Sequence, residues 1–319
     1  MTRAVGASTK LYLLKEATYG TQASGNYHQL GFFSAEMGVS QPLEDVPVLG
    51  TGANRDPGDP FYGQIDSAGT IEIPVNLAGI GQWLRLLFGA PTTSGSSDYT
   101  HHFDSGAATL PSASIVLDYG SVITDRYGIN LGVRADSITM NFAPAGAARA
   151  QIRLIGQGET RGATPGTGTP ALLAGTNFNQ FQGSISRNAS ALAQVTAATL
   201  TYSNGLEAIR TIRNDRKIES ADPGVPSATG TITLRYANTT DALKDDAIAG
   251  TPCELDFAYI ISATQRLTFN LPRVFIEDFK TPISGPNGIE VQAAFRAAYD
   301  ATDTRMLRAT LLNQTASYA

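Results

Sequence analysis

One cysteine, one tryptophan and three histidines are all that this 319-residue chain carries of the residue types most used for disulfides, metal sites and catalysis. A lone Cys253 excludes an internal disulfide and any zinc site built from cysteines; without a local nucleophile signature it reads as a buried, inert thiol. His28, His101 and His102 are the whole supply for a Ser/His/Asp or Cys/His mechanism, and no Gly-x-Ser-x-Gly elbow is present. His101 and His102 are neighbours that would point to opposite faces of a strand and so chelate poorly; with Asp98 and Asp104 close by, they read as a polar loop.

Charge is also scarce. Only 16% of residues are charged, with a net charge of −5 and a pI near 5.2, so the whole-chain field gives no attraction for nucleic acid. The basic run Arg210, Arg213, Arg216 and Lys217 is broken by Asp215 and lacks interleaved aromatics, which makes it a poor strand-binding surface. The acidic pairs Asp245-Asp246 and Glu277-Asp278 are adjacent residues whose side chains diverge. The glycine-rich stretch has no Gly-Lys-Ser/Thr ending and is no phosphate loop. No catalytic, cofactor-binding or metal-binding residue is assigned, and no cofactor is expected. No apolar run follows Met1-Thr2-Arg3 and none approaches a membrane span, so a cytosolic origin is expected. The same absences count against an outer-membrane β-barrel, whose alternating strands would otherwise fit. A carbohydrate-active enzyme on a β-sandwich is an alternative that needs only two separated carboxylates, but one tryptophan is thin material for an aromatic cleft.

What is present is a grammar of strands and turns, with 42% apolar residues, 32 glycines and 16 prolines. Ser137-Ile138-Thr139-Met140-Asn141-Phe142 alternates, Pro144-Ala145-Gly146 turns, and Ala150-Gln151-Ile152-Arg153-Leu154 alternates again. Arg266 to Leu271 and Ile289 to Arg296 repeat the pattern around Gly285-Pro286-Asn287-Gly288. These strands predict a mainly β fold, with one buried and one polar face on each.

Residues 156–175 form a Gly/Thr/Pro stretch without sustained periodicity, which predicts a linker between residues 1–155 and 176–319. The two parts resemble each other. Leu43-Glu44 matches Leu206-Glu207, each after an extended segment and before a long polar loop. Gly69-Thr70-Ile71-Glu72-Ile73 matches Gly230-Thr231-Ile232-Thr233-Leu234, 161 positions later. A short helix follows in each copy. The first carries Leu77, Ile80, Leu84 and Leu87 on one face beside Trp83, with Asn76 as cap and Gly89 and Pro91 as stop. The second carries Leu243, Ala247 and Ile248, with Asp241 as cap and Gly250 and Pro252 as stop. Strand, long loop, strand, helix and strand pair thus occur twice, the expected mark of two tandem modules.

This order resembles the major tail tube proteins of long-tailed bacteriophages in their larger, duplicated form. The supporting residues are Glu16-Ala17-Thr18-Tyr19-Gly20-Thr21, the Gly69-Thr70-Ile71 strand leading to Trp83-Leu84-Arg85-Leu86-Leu87-Phe88-Gly89, and Thr100-His101-His102-Phe103. The resemblance implies two β-sandwich or barrel modules, each with one flanking helix, in a structural virion protein rather than an enzyme. It implies rings stacked into a tail tube: a homotrimer with pseudo-sixfold symmetry if one chain supplies two modules, a homohexamer otherwise. Its partners would be further copies of itself, the tape-measure protein, and the tail tip and terminator proteins. DNA would pass through the lumen without specific binding, and no membrane is involved. Assembly would take place in the host cytoplasm. A tail terminator or baseplate ring protein is the nearest alternative.

The loops Leu43 to Ile65 and Leu206 to Ser227 exceed what hairpins need and would reach the adjacent ring in such a family. Their charged and polar residues are the contact candidates: Asn54, Arg55, Asp56 and Asp59 in the first, and Arg213, Asp215, Arg216 and Lys217 in the second.

Overall fold

The computed structural model describes residues 3–46, 56, 58–238, 240–283 and 285–318. With 49% of the described residues in strands and bridges and 8% in helix, the fold is mainly β. The chain opens with β1 (Lys10–Lys15), β2 (His28–Leu30), β3 (Ser34–Ser40), β4 (Leu43–Glu44), β5 (Phe61–Tyr62) and β6 (Asp66–Pro74). Helix α1 (Ile80–Phe88) leads to the hairpin β7 (Thr92–Gly95) and β8 (Tyr99–Asp104), then β9 (Ala113–Asp118) and the long β10 (Tyr127–Phe142). Next come β11 (Arg149–Gly156), β12 (Gly158–Gly162) and β13 (Ala171–Leu172).

The remainder runs β14 (Gly183–Arg187), β15 (Ser190–Ala191), β16 (Val195–Ser203), β17 (Glu207–Ile209), β18 (Ser220–Asp222) and β19 (Ser227–Arg235). After α2 (Asp241–Ala249) follow β20 (Cys253–Ser262), β21 (Gln265–Ile276), β22 (Glu290–Ala297) and β23 (Arg308–Asn313).

One order of pairing occurs twice. In the first half the neighbours are β1, β9, β10, β11, β6 and β3. In the second they are β14, β20, β21, β22, β19 and β16. The register recurs as well: Gly69 faces Met37 and Leu154, and Gly230 faces Leu200 and Phe295. Both glycines are needed for close approach, since a Cβ on Gly69 would lie 1.9 Å from the Glu36 carbonyl oxygen and one on Gly230 2.0 Å from that of Thr199.

β10 is the seam. Its first part lies between β9 and β12, and its last part, Ser137 to Phe142, lies between β11 and β16. The apolar side of that last part, Ile138, Met140 and Phe142, is covered across β16 by Tyr202, Leu200 and Ala198, all buried. β8 adds a second link by pairing with β23, which itself pairs with β21. One hydrophobic core therefore runs from Leu11 to Tyr318, with a smaller cluster around Tyr27 and Val116.

Several expectations change. The Gly/Thr/Pro stretch is not a loose connector: β12 pairs with β10, and β13 pairs with β2. Within it Gly166 and Gly168 adopt left-handed φ of 64° and 60°, and the Thr169 N–H donates to Asn26. His101 and His102 sit on β8 rather than in a loop. His101 is fully buried, its ring bonded to the Thr93 hydroxyl and the Thr315 carbonyl, a satisfied core histidine that needs no metal. Asn76 does bracket α1, its Oδ1 accepting from the Ala78 and Gly79 N–H groups. Asp241 instead occupies the first turn of α2 and accepts from the Tyr236 hydroxyl, while Ile248 turns outward, 69% exposed.

Candidate assembly surface

Among the described residues no group of three or more His, Cys, Asp or Glu side chains could hold a metal, and no helix is long and apolar enough to cross a membrane. Cys253 is buried, and desolvation pushes its thiol up to about 11, so it is no thiolate nucleophile at neutral pH. A cleft of 510 Å³ beside the start of β16 is lined by groups such as Phe142, Gln180, Phe181 and Leu192, with no ionisable side chain. Buried carboxylates are consumed structurally. Glu16 accepts from the hydroxyls of Ser112 and Ser114 and from the N–H groups of Gly20 and Gly132. Asp246 pairs with Arg187 at 2.6 Å.

What the fold does present is a pair of adjoining loops. The first closes with the two-stranded pairing of β4 and β5, the second with that of β17 and β18. They touch: the Ile65 N–H donates to the Arg216 carbonyl at 3.0 Å, and Arg210 reaches Gln64 and forms an ion pair with Asp66. Arg216 makes this contact from a left-handed φ of 59°. Lys217 lies against Gly158 in β12.

Of the residues expected in contacts, Asn54 and Arg55 lie outside the described residues. Asp56 and Asp59 are exposed. Arg213 and Asp215 face each other in a bidentate pair at 2.9 and 2.7 Å, which holds the Asp215 carboxyl well below its usual range. Charge patterning points to these residues and not to the apolar ones in the same loops. Leu43, Phe61 and Tyr62 are 59%, 48% and 56% exposed, and Ile212 and Val225 stand almost wholly in solvent. The available signal was apolar side chains in segments too long and too irregular to bury them.

One half docks on the other through a strand edge, and exposed apolar side chains stand in the two adjoining loops. The sequence matches the phage tail tube protein family over residues 6–297, and the chain belongs to that family. No curated protein matches. The family is one of structural tail proteins rather than enzymes; it implies self-assembly into a tube with other tail proteins and a place in the virion tail.

Proposed function

We propose that this chain is the repeating subunit of a tail tube whose rings stack around a channel for genome delivery. Residues 1–155 and 176–319 act as two tandem tube modules and residues 156–175 as their connection, so three copies complete a pseudo-sixfold ring. The observation that carries this reading is the recurrence of one pairing order in both halves, with β10 of the first docked on β16 of the second. Such a heterologous contact, repeated, closes a ring or runs on without limit. The two adjoining loops, with Asp59, Arg213, Asp215, Arg216 and Lys217 among exposed apolar side chains, meet the next ring. A net charge of −5 leaves DNA free to pass without counterion-releasing contacts. The tape-measure protein fills the channel during assembly in the host cytoplasm, and tail tip and terminator proteins cap the two ends.

Negative-stain electron microscopy with mass measurement tests this on the purified protein. Hollow stacked rings of three copies are expected. Rings of six copies overturn the two-module count, and a monomer that never associates, even with a tail tip as nucleus, overturns the tube.

A further inference from the structure

The seam inside the chain has an unfilled counterpart outside it. β10 continues past its pairing with β9, which ends at Val133 opposite Ala113, to lay Ser137–Phe142 on β16. β21 pairs with β20 as far as Val274 opposite Cys253; beyond it, among the described residues, β22 is its one strand partner, and residues 278–283 run on without a ladder. β16 corresponds to β3 through the Gly230 and Gly69 registers, and β3 pairs with β6 alone among the described strands. Among the described residues no strand covers its other edge, and natural sheets rarely leave an edge uncovered.

The side chains tell the same story. Tyr202 in the seam is 1% exposed, and its counterpart Val39 is 38% exposed. Phe142 is 6% exposed, and its counterpart Ile283 79%. Leu87, whose carbonyl accepts from the Asn204 side chain where α1 meets the seam, is fully buried; its counterpart Ile248 in α2 is 69% exposed. At these three positions the side chain left open on the single chain is one whose counterpart the internal seam covers.

We infer that residues Asp278–Ile283 of one copy add as an antiparallel strand to the β3 edge of the next copy, in the register of the β10–β16 seam. Counting from Val133 and Val274 sets Asp278 opposite Ser40, Lys280 opposite Gly38 and Ile283 opposite Ala35 of the next copy. Phe279, Thr281 and Ile283 then face Val39, Met37 and Ala35, as Ile138, Met140 and Phe142 face Tyr202, Leu200 and Ala198 inside the chain. Lys280 arrives diagonally beside Glu36, and a Cβ on the opposing Gly38 would lie 3.6 Å from a Glu159 carboxylate oxygen, so the ammonium meets two acids. Pro282 has no N–H to give, which an added edge strand tolerates. The acid before the seam recurs too. Asp136 accepts the Asn204 N–H on its carbonyl and the Leu206 N–H on its side chain; Glu277 stands in that position for the next copy's Gln41 and Leu43.

This joint rests on the ring reading above, and its test separates the two. Thr139 and Thr201, opposite each other in the seam with hydroxyl oxygens 3.1 Å apart, mark the geometry that Lys280 and Gly38 reproduce between copies. Under mild oxidation of assembled protein, Gly38→Cys/Lys280→Cys is expected to give covalent dimers and higher multimers on non-reducing gels. Each single variant and the register-shifted Glu36→Cys/Lys280→Cys should give few. Thr139→Cys/Thr201→Cys closes within one chain and serves as the positive control, while the native Cys253 is buried. Should the cysteine variants not fold, amide exchange on wild-type protein reads the same joint: assembly must protect residues 34–40 and 278–283. Rings or tubes that form with neither cross-link nor protection overturn the joint and leave the tube reading standing. A wild-type chain that never associates overturns both.

Discussion

The two helices occupy the same place in the pairing order, yet one is core and the other is surface. All nine residues of α1 are buried, including Gln82 and Arg85, whereas α2 buries only Leu243 and Asp246. α1 is covered from two sides. Tyr318 packs so close to Gly81 that an added Cβ would meet its ring at 2.2 Å, and the Tyr318 hydroxyl donates to the Ala78 carbonyl. On the seam side Phe88 lies 4.5 Å from Tyr202, ring to ring, and Asn204 donates to the carbonyls of Leu87 and Ala135. Among the described residues α2 has neither cover. The same backbone position thus acquires opposite burial, Leu87 against Ile248, or opposite chemistry, Leu84 against Asp245, according to what lies over it. Burial in this fold belongs to the joint between halves as much as to either half.

That contrast breaks most readily at matched positions. Leu87→Ala should cost about 2–5 kcal/mol by lost transfer energy and residual cavity. Ile248→Ala, measured on the unassembled chain, should stay within about 0.5 kcal/mol. Denaturant unfolding of both variants reads the difference; equal losses would remove the claim that the seam is what distinguishes the helices. The next effect runs the opposite way, since Gly69 and Gly230 are crowded alike by a neighbouring carbonyl. Gly69→Ala and Gly230→Ala should each destabilise by about 1–3 kcal/mol, with similar values. A large loss at one and none at the other would show that the shared register does not carry shared packing.

Much of this was legible beforehand, for a physical reason. Alternation with period two survives in any half-buried strand, so Ser137–Phe142, Ala150–Leu154 and Arg266–Leu271 fall inside β10, β11 and β21. Glycines forced by close approach or by helix termination persist where side chains drift, which is why Gly69, Gly89, Gly230 and Gly250 marked the correspondence. Polar, glycine-rich segments hide their pairing. β12 is Gly158-Glu159-Thr160-Arg161-Gly162, with no apolar alternation, and only tertiary contact makes it a strand. His101 misled for a related reason: its neighbours are polar, while its burial comes from residues some two hundred positions away, at Thr310, Leu311 and Thr315. In the loops, charge drew attention to Arg213 and Asp215, which largely satisfy each other, and away from Phe61 and Ile212.

Asn204 sharpens the comparison at the seam itself. It is buried, its amide donates to two carbonyls and its Oδ1 accepts from Tyr202. Asn204→Ala leaves those groups unpaired and should cost about 1–3 kcal/mol. Gln41, its counterpart on the open edge, donates to the Gly63 carbonyl alone among the described residues, and Gln41→Ala should cost less on the single chain. A Gln41 loss as large as that of Asn204 would mean that the open edge is already as well ordered as the closed one.

The smallest expected effect concerns pH and asks whether the β8–β23 link behaves as core. His101 is held in its neutral form by burial, which lowers its pKa below the usual 6.5; the Thr315 carbonyl can only accept, so Nε2 carries the proton and Nδ1 accepts from the Thr93 hydroxyl. The unfolded chain takes up a proton near pH 6.5 while the folded chain resists. Between those two pKa values the unfolded state binds more protons, so stability rises with pH there. The contribution is complete above the unfolded value and fades as pH falls below it. His28 and His102 are also lowered by desolvation and add to the same slope, whereas Asp215 and Asp278, depressed by their ion pairs, act at lower pH. Denaturation midpoints should therefore fall between pH 7 and 5, and His101→Gln should flatten part of that fall while lowering stability at pH 7. If the slope is unchanged by His101→Gln, then His101 is accessible to protons in the folded chain and the β8–β23 link is looser than the seam.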